Sequence, residues 1–268
     1  MGGVTVVKVG GEVPPEPVCA DLGEVLPQAV ITHGGAPQIA ELARGMGVRP
    51  RTLRSPGGLT SRHTDPAMLD VVTLALTGRA KPRLLRALAA AGVAAVGLTG
   101  LDGGLLRARR KAALRTVTDD GRTVVVRDDH SGRLTGVAPR VLNTLLEGGF
   151  VPVVSPPAAG EDGAPVNVDA DRAAAAVAAA VGAKRLILLM SRPGVLRDAG
   201  DPASVLPAVA LPRAGRMPYA ATGGMHRKLI AARDALMGGV PEVIISDGRA
   251  DRPVSAALDG AGTTLELA

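Results

Sequence analysis

Short runs of β-branched and aliphatic residues alternate with longer helical segments, and glycine pairs stand where several of the runs end. This alternation predicts an α/β fold with a mostly parallel sheet and helices on both faces, because parallel strands need crossover helices. The predicted strands cover residues 4–9, 29–32, 94–98, 151–155, 185–190 and 242–246. The predicted helices cover residues 37–46, 65–76, 81–91, 171–181 and 225–237, and residues 13–17 are predicted to form a short loop.

Residues 105–126 break this pattern, because they alternate in the manner of antiparallel strands. Asp119-Asp120-Gly121 is typical of a tight turn, so we predict one β-hairpin over the whole segment. The segment and its flank carry Arg107, Arg109, Arg110, Lys111, Arg115, Arg122 and Arg127. A merely solvated hairpin is one interpretation. The other interpretation is that these residues form a binding surface for an acidic partner, because a dense cluster of like charges is unfavourable without counter-charges.

Composition narrows the function classes. Lys and Arg number 31 against 25 Asp and Glu, a net charge of +6 that favours an acidic partner. One Phe, one Tyr and no Trp argue against the aromatic platforms that bind single-stranded nucleic acid, so we expect no nucleic-acid partner. A single cysteine and four scattered histidines predict no metal site built from protein ligands. With no signal peptide and no apolar run long enough for a membrane span, we expect a cytoplasmic protein.

Two glycine pairs follow the first two predicted strands. Lys8-Val9-Gly10-Gly11 places a cation directly before the first pair, and His33-Gly34-Gly35 supplies the second. Glycine allows main-chain N–H groups to approach a polyanion, and ligands of parallel sheets gather at the carboxyl ends of the strands. An ordinary lysine at a strand end and ordinary turns remain open as alternatives.

Two helix starts carry unusual polar residues. Asn167-Val168-Asp169-Ala170-Asp171 opens an alanine-rich helix, where Asn167 or Asp169 could be no more than an N-cap. Gly223-Gly224-Met225-His226-Arg227-Lys228 opens another with cations in its first turn. Helix N-termini prefer acidic residues, so cations there indicate a nearby anion.

Together these groups resemble the amino-acid kinase family and, within it, the N-acetylglutamate kinases. The resemblance spans nearly the whole chain and also includes Arg62 after Gly57-Gly58 and the segments 95–98 and 193–196. It implies a single domain over residues 1–268 with an open αβα sandwich fold. The N-terminal half, about residues 1–180, would bind the acyl substrate and the C-terminal half, about residues 181–268, would bind ATP. Mg²⁺ would be held mainly by the nucleotide phosphates.

The resemblance also implies roles for individual residues. Lys8 and Lys228 would be the transition-state cations, and Asp171 would orient them. The substrate-binding residues would be Gly34, Gly35, Arg62 and Asn167, and Gly10 and Gly11 would bind phosphate. The nucleotide-binding residues would be Ser191, Gly194, Leu196 and Gly224. The chain departs from the family here, because it has Ser191-Arg192-Pro193-Gly194 where the nucleotide loop usually has Asp before Val/Pro-Gly.

The acceptor chemistry agrees with these roles. A side-chain carboxylate has a pKa of about 4.3 and is already ionised at neutral pH, so it needs no general base to attack a phosphate. Its obstacle is charge repulsion, which positioned cations, N–H donors and Mg²⁺ relieve.

The basic segment refines the resemblance. Residues 57–62, 99–103 and 128–132, together with Arg109-Arg110-Lys111, are similar to the branch that phosphorylates α-aminoadipate or glutamate attached to the acidic LysW carrier. A LysW-type amino-group carrier protein would then dock on Arg107, Arg109, Arg110 and Lys111. The family likeness also implies a homodimer. The alternatives are a kinase of free N-acetyl-L-glutamate and, in another class, a non-catalytic nucleotide-sensing regulator.

Overall fold

A computed structural model describes residues 3–26, 28–215, 217 and 223–268. The strands of its main sheet are β1 (Thr5–Val9), β2 (Ala29–His33), β5 (Ala95–Gly100), β6 (Leu106–Arg110), β9 (Gly132–Val137), β10 (Val151–Ala159), β11 (Pro165–Val166), β12 (Arg185–Met190), β13 (Ala208–Leu211), β14 (Glu242–Asp247) and β15 (Thr263–Leu267). Two short antiparallel pairs lie outside it, namely β3 (Thr52–Arg54) with β4 (Thr60–Arg62), and β7 (Leu114–Val117) with β8 (Thr123–Val126).

The helices lie between these strands. They are α1 (Pro15–Val25), α2 (Ala36–Gly45), α3 (Pro66–Leu74), α4 (Lys81–Ala90), α5 (Arg140–Glu147), α6 (Ala170–Ala180), α7 (Gly223–Met237) and α8 (Pro253–Leu258). Within the described residues, no helix is both long and apolar enough to cross a bilayer.

Strand β1 lies in the middle of the main sheet, where it pairs in parallel with β2 on one side and β12 on the other. The order across the sheet is β13-β15-β14-β12-β1-β2-β10-β6-β9, and β5 and β11 also pair with β10. The strands on the β12 side therefore come from the C-terminal part of the chain. Because β1 lies between the strands on the β2 side and those on the β12 side, loops from both sides can meet at its carboxyl end.

Helices cover both faces of the sheet, as the sequence predicts. Alternate residues of β1 point to opposite faces, so Val6 joins the core beneath α6 and α7, whereas Val7 and Val9 join the core beneath α1, α4 and α8. This arrangement confirms the αβα sandwich. It also directs Lys8 to the same face as Val6, toward α6.

Two local predictions are wrong. Residues 13–17 do not form a loop throughout, because α1 begins at Pro15, where proline is tolerated since the first-turn N–H groups have no intrahelical acceptor. Gly78 does not separate two helices either. It lies in a π-helical turn, Ala75–Ala80, that joins α3 directly to α4.

The prediction of one hairpin over residues 105–126 is also wrong. Strand β6 pairs not with the residues before Val126 but with β9, further along the chain, and this pair extends the main sheet. The turn at Asp119-Asp120-Gly121 closes the smaller β7–β8 pair instead. The buried residues Leu106 and Ala108 explain the difference, since they draw β6 into the main core while the basic residues between them face outward.

Candidate active site

Lys8, Asp171 and Lys228 form one cluster, although they lie far apart in the sequence. The Lys8 Nζ is 2.7 Å from the Asp171 Oδ1. The Lys228 Nζ donates to both carboxylate oxygens, at 3.0 Å to Oδ1 and 2.8 Å to Oδ2. All three side chains are nearly buried, with at most 11% of each exposed.

Packing of α6 against α7 creates this cluster. Asp171 lies in the first turn of α6, which Asp169 caps by accepting hydrogen bonds from the amides of Asp171 and Arg172. Lys228 lies near the start of α7, and Lys8 reaches the same carboxylate from β1. The N-cap predicted as an alternative role for Asp169 is therefore present, while Asp171 is left free for the lysines.

The charges of the cluster depend on each other. Burial alone would raise the pKa of Asp171, but the charges of Lys8 and Lys228 outweigh it and lower the pKa to about 2. Burial and the charge of Lys8 lower the pKa of Lys228, which Asp171 opposes. Two ammonium groups thus share one carboxylate, which leaves net positive charge for an anionic ligand.

The two glycine pairs of the sequence are in direct contact. A Cβ on Gly11 would lie 2.9 Å from the main-chain nitrogen of Ala36 and 3.0 Å from the Cα of Gly35. A Cβ on Gly34 would lie 3.7 Å from that of Ala170, the residue next to Asp171. Both pairs therefore border the lysine cluster. Glycine is required at residue 11 because the main chain of residues 35 and 36 approaches so closely, whereas a Cβ on Gly35 would meet the Leu76 side chain at 2.8 Å.

The predicted nucleotide residues lie on the other side of β1. Ser191, after β12, donates a hydrogen bond of 2.5 Å to Glu12, which follows Gly10 and Gly11. Gly194 packs against Thr263, whose hydroxyl accepts from the amide of Val195. Leu196 forms an isolated antiparallel bridge with Val205, and Gly224 lies in the first turn of α7. The hydrogen bond from Ser191 to Glu12 joins the predicted nucleotide loop to the segment that follows Gly10 and Gly11.

Asn167 is held by a network that the sequence does not reveal. Its Nδ2 donates to the Thr64 hydroxyl at 3.1 Å, and the carboxylate of Asp129 accepts from the amides of Thr64 and Ser131. Ser131 forms a bridge with Asn167 in turn. Thr64 and Asp129 are fully buried, so this network fixes the loop before α6. The resemblance at residues 128–132 was the one sequence signal for it.

Arg62 lies on β4 and is half-buried. Burial, and after it the charge of Arg227, lower the pKa of Arg62. Among the described residues, no carboxylate lies within ion-pair distance of the Arg62 guanidinium. Arg227 was recognised in the sequence only as a cation near a helix start, and its closeness to Arg62 is visible only in the structure.

Lys81 is a buried cation that sequence reasoning missed. It donates to the main-chain oxygen of Leu98 at 2.5 Å, at the end of β5. Burial lowers the pKa of Lys81 to about 8, while Asp102 opposes the shift. A Cβ on Gly97 would clash with its stem, which explains why glycine occurs there.

The four basic residues predicted to dock a carrier are exposed, but two of them are engaged within the chain. Arg109 pairs with Glu161 at 2.9 Å, and Arg110 donates to the main-chain oxygens of Asp129 and Arg127. Arg107 and Lys111 make no side-chain hydrogen bond or ion pair within the described part of the chain. Arg109 therefore has a counter-charge within the chain, as does Arg122 of the same basic segment, which pairs with Asp120.

The basic strand lies beside the Asn167 loop. The amide of Lys111 donates to the main-chain oxygen of Ser131, and the amide of Gly132 donates to that of Asn167. Two successive hydrogen bonds thus connect the exposed cations of β6 to the predicted substrate residue. A macromolecule that docks on β6 would lie close to the loop that carries Asn167.

The described residues supply no cluster of three or more His, Cys, Asp or Glu side chains that would hold a metal ion. Asp171 is the carboxylate of the lysine cluster, and both its oxygens are already paired with ammonium groups. A divalent ion in this site therefore needs ligands from elsewhere, such as nucleotide phosphates.

This fold and this site define a class of protein. The family described as "Amino acid kinase family" matches residues 3–247, and the chain belongs to this family.

Relatives of known name narrow the comparison. A "[LysW]-aminoadipate kinase" of Deinococcus radiodurans is 39% identical over 265 residues, which cover 97% of this chain and 90% of that protein. One of the same name from Thermus thermophilus is 36% identical and covers 97% and 99%. An "Acetylglutamate kinase" of Methanopyrus kandleri is 39% identical over 97% of this chain and 99% of its own.

Solved structures agree on the fold. An isopentenyl phosphate kinase superposes with a TM-score of 0.69 at 18% identity, covering 98% of this chain and 99% of its own. A carbamate kinase of Giardia superposes with a TM-score of 0.66 at 16% identity, covering 100% and 99%. At these identities the likeness establishes the fold alone.

Proposed function

We propose that this chain transfers the γ-phosphoryl group of ATP to the side-chain carboxylate of α-aminoadipate or glutamate whose amino group is held by an acidic LysW-type carrier. The products are ADP and an acyl phosphate. The single observation that carries the proposal is the carboxylate of Asp171 shared by Lys8 and Lys228, since this cluster concentrates two cations beside two glycine loops.

The reaction needs charge neutralisation more than proton transfer. An oxygen of the acceptor carboxylate forms the new bond to the γ-phosphorus as the bond to the bridging oxygen breaks, and the electron pair of that bond leaves with ADP. Lys8 and Lys228 would stabilise the charge on the moving phosphoryl group, and the N–H groups of Gly10 and Gly11 would donate to its oxygens. Mg²⁺ would supply further neutralisation from the nucleotide phosphates.

The two sides of the sheet divide the substrates in this proposal. Gly34, Gly35, Arg62 and Asn167 would hold the acceptor within about residues 1–180. Ser191, Gly194, Leu196 and Gly224 would hold ATP within about residues 181–268. The contact between Ser191 and Glu12 supports this division, because it connects the nucleotide loop to the phosphate loop.

Relatives favour the carrier-bound acceptor over a free one, since several carry LysW in their names. Free N-acetyl-L-glutamate is the second candidate, because the Methanopyrus relative is equally identical. An ADP-release assay with each acceptor decides between them. Faster turnover with free N-acetyl-L-glutamate, without any response to carrier, would establish the second candidate, and ATP binding without turnover on either would indicate a non-catalytic regulator.

The docking surface can be tested with the cations that have no internal role. Arg107→Glu combined with Lys111→Glu should raise the KM for the carrier-bound acceptor while leaving the KM for ATP unchanged. Arg86→Glu is the matched control, because Arg86 is an exposed cation on α4, away from β6. Equal carrier kinetics in the double variant and the control would contradict docking on β6.

Homodimer formation and a cytoplasmic location stay predictions. Half of the Leu74 side chain on α3 is exposed, so Leu74 is the position at which an interface through the helices of the N-terminal half can be tested. Light scattering of the purified chain and of Leu74→Glu tests this, since a dimer that persists in the variant would place the interface elsewhere.

A further inference from the structure

Arg227 connects elements from the two sides of the sheet. It lies in the first turns of α7, and its Nη1 donates to the main-chain oxygen of Thr60 at 3.0 Å. Its Nε lies 3.6 Å from the Asp169 Oδ2. Thr60 belongs to the β3–β4 hairpin, which also carries Arg62. The residue next to a predicted catalytic lysine therefore holds the hairpin that carries a predicted substrate residue.

The charges around this contact do not balance. Arg227 holds Thr60, two residues before Arg62 on β4, and burial together with the charge of Arg227 lowers the pKa of Arg62. Asp169 is the carboxylate that faces Arg227, and its Oδ1 already caps α6. Within the described residues, Arg62 has no carboxylate of its own. Two arginines on neighbouring elements thus share one partly used counter-charge, and the side chains of both remain partly exposed.

We infer that Arg227 is a specificity-determining residue, which together with Arg62 binds the carboxylate of the acceptor that does not react. This inference rests on the proposed function. A planar carboxylate between two guanidinium groups can accept hydrogen bonds from both and removes their mutual repulsion. Because Arg227 also holds Thr60, binding of this carboxylate keeps the β3–β4 hairpin closed over the acceptor. Lys228 is the next residue of α7, so the same event steadies the catalytic cluster.

Kinetics of Arg227→Gln test the role in acceptor recognition. We expect the KM for the acceptor to rise about tenfold or more, with the KM for ATP within about twofold of its original value. Arg227→Lys keeps the charge but loses the planar guanidinium group, so its KM for the acceptor should lie between that of the unaltered enzyme and that of Arg227→Gln. Arg172→Gln is the matched control, because Arg172 forms a comparable exposed pair with Asp234, and it should behave as the unaltered enzyme.

An acceptor with its non-reacting carboxylate converted to an amide isolates the recognised group. The unaltered enzyme should prefer the acid over the amide by at least tenfold, and Arg227→Gln should lose most of this preference. An unchanged preference in Arg227→Gln would overturn the inference. A raised KM for ATP with an unchanged KM for the acceptor would also overturn it, because the guanidinium would then serve the nucleotide.

Hydrogen exchange separates failure of this inference from failure of the proposed function. In the protein without ligands, the amides of residues 52–62 should exchange faster in Arg227→Gln than in Arg172→Gln. Added N-acetyl-α-aminoadipate, used as a soluble probe, should protect these amides in the unaltered protein and not in Arg227→Gln. Equal exchange in both variants overturns the inference even if the enzyme is active. Loss of turnover on every acceptor, with the exchange difference retained, rejects the proposed function and leaves the hairpin contact established.

Discussion

Replacement of Asp171 by Asn tests the central cluster directly. The amide preserves the shape of the side chain but removes the charge that Lys8 and Lys228 share. Both ammonium nitrogens lie within 3.0 Å of the same oxygen of Asp171, so they are no more than about 6 Å apart. At that separation and an effective dielectric constant of about 20, two positive charges repel by about 3 kcal/mol. Loss of one partner from a buried ion pair typically costs 3–5 kcal/mol, so we expect the free energy of unfolding to fall by about this amount at pH 7.

The pH dependence of Asp171→Asn should be distinctive. The variant loses the carboxylate that opposes the effects of burial and of the Lys8 charge, so the pKa of Lys228 falls further below its usual range. Because the folded state then binds fewer protons than the unfolded state, the stability of the variant rises with pH above that lowered pKa until it approaches the unfolded pKa, 10.5. Turnover should fall over the same range, since it needs both lysines protonated. Stability and activity of the variant therefore change in opposite directions.

Acid conditions give the complementary result for the unaltered protein. The pKa of Asp171 is about 2 in the folded state and 3.8 in the unfolded state. The stabilisation that ionised Asp171 gives to the folded state is therefore complete above about pH 4 and is lost as the pH falls toward 2. The Asp171→Asn variant lacks this carboxylate, so its free energy of unfolding should not show this loss between about pH 4 and pH 2.

Urea unfolding and ADP release, both measured from pH 6.5 to 9, provide the assay. Asp234→Asn is the matched control, because Asp234 pairs with Arg172 at the surface and should contribute less than about 1 kcal/mol. Mg-ATP should raise the melting temperature of Asp171→Asn more than that of the unaltered protein, since the triphosphate replaces the lost anion. The reasoning would be refuted if Asp171→Asn matched Asp234→Asn in stability at every pH and retained full turnover.

Three further predictions concern turnover, the glycine contact and the last helix. Lys228→Met should lower kcat by about 10² to 10³ while calorimetry shows nearly unchanged ATP affinity, and unchanged turnover would remove Lys228 from the mechanism. Gly11→Ala should lower the free energy of unfolding by about 1–3 kcal/mol and should also lower kcat, because the new methyl group meets main-chain atoms within 3.0 Å. Gly57→Ala is the control, because its methyl group meets no atom closer than 3.9 Å. Asp21→Asn should destabilise by about 1–3 kcal/mol in urea unfolding, because the buried carboxylate accepts from the Val254 and Ser255 amides at 2.7 Å, and it should leave the kcat of the folded enzyme unaltered.

Periodicity in the sequence was sufficient for the central architecture. The strand at residues 185–190 was predicted with its observed bounds, and the others near the middle of the sheet differ by a few residues at their ends. These strands are apolar and buried, so their hydrophobic pattern is strong. The β3–β4 and β7–β8 pairs lie at the rim, where half-exposed residues give weaker patterns.

The division of residues 105–126 shows why the rim was harder. A local turn signal at Gly121 was correct, but it could not tell how far the pairing extended on either side. Leu106 and Ala108 had a more favourable partner in the main core, and that competition depends on residues distant in the sequence.

The sequence by itself determined the central strands and helices and indicated candidate residues for chemistry, because apolar periodicity, glycine pairs and cations at the ends of strands and helices are local patterns. Only the tertiary structure decided which of them meet. The position of the Asp171 carboxylate between Lys8 and Lys228 arises from the packing of α6 and α7 over β1. The hydrogen bond from Arg227 to Thr60 arises because the β3–β4 hairpin lies against the start of α7. Spacing along the chain does not encode such distances, since each depends on how whole elements pack, and electrostatic coupling acts through space.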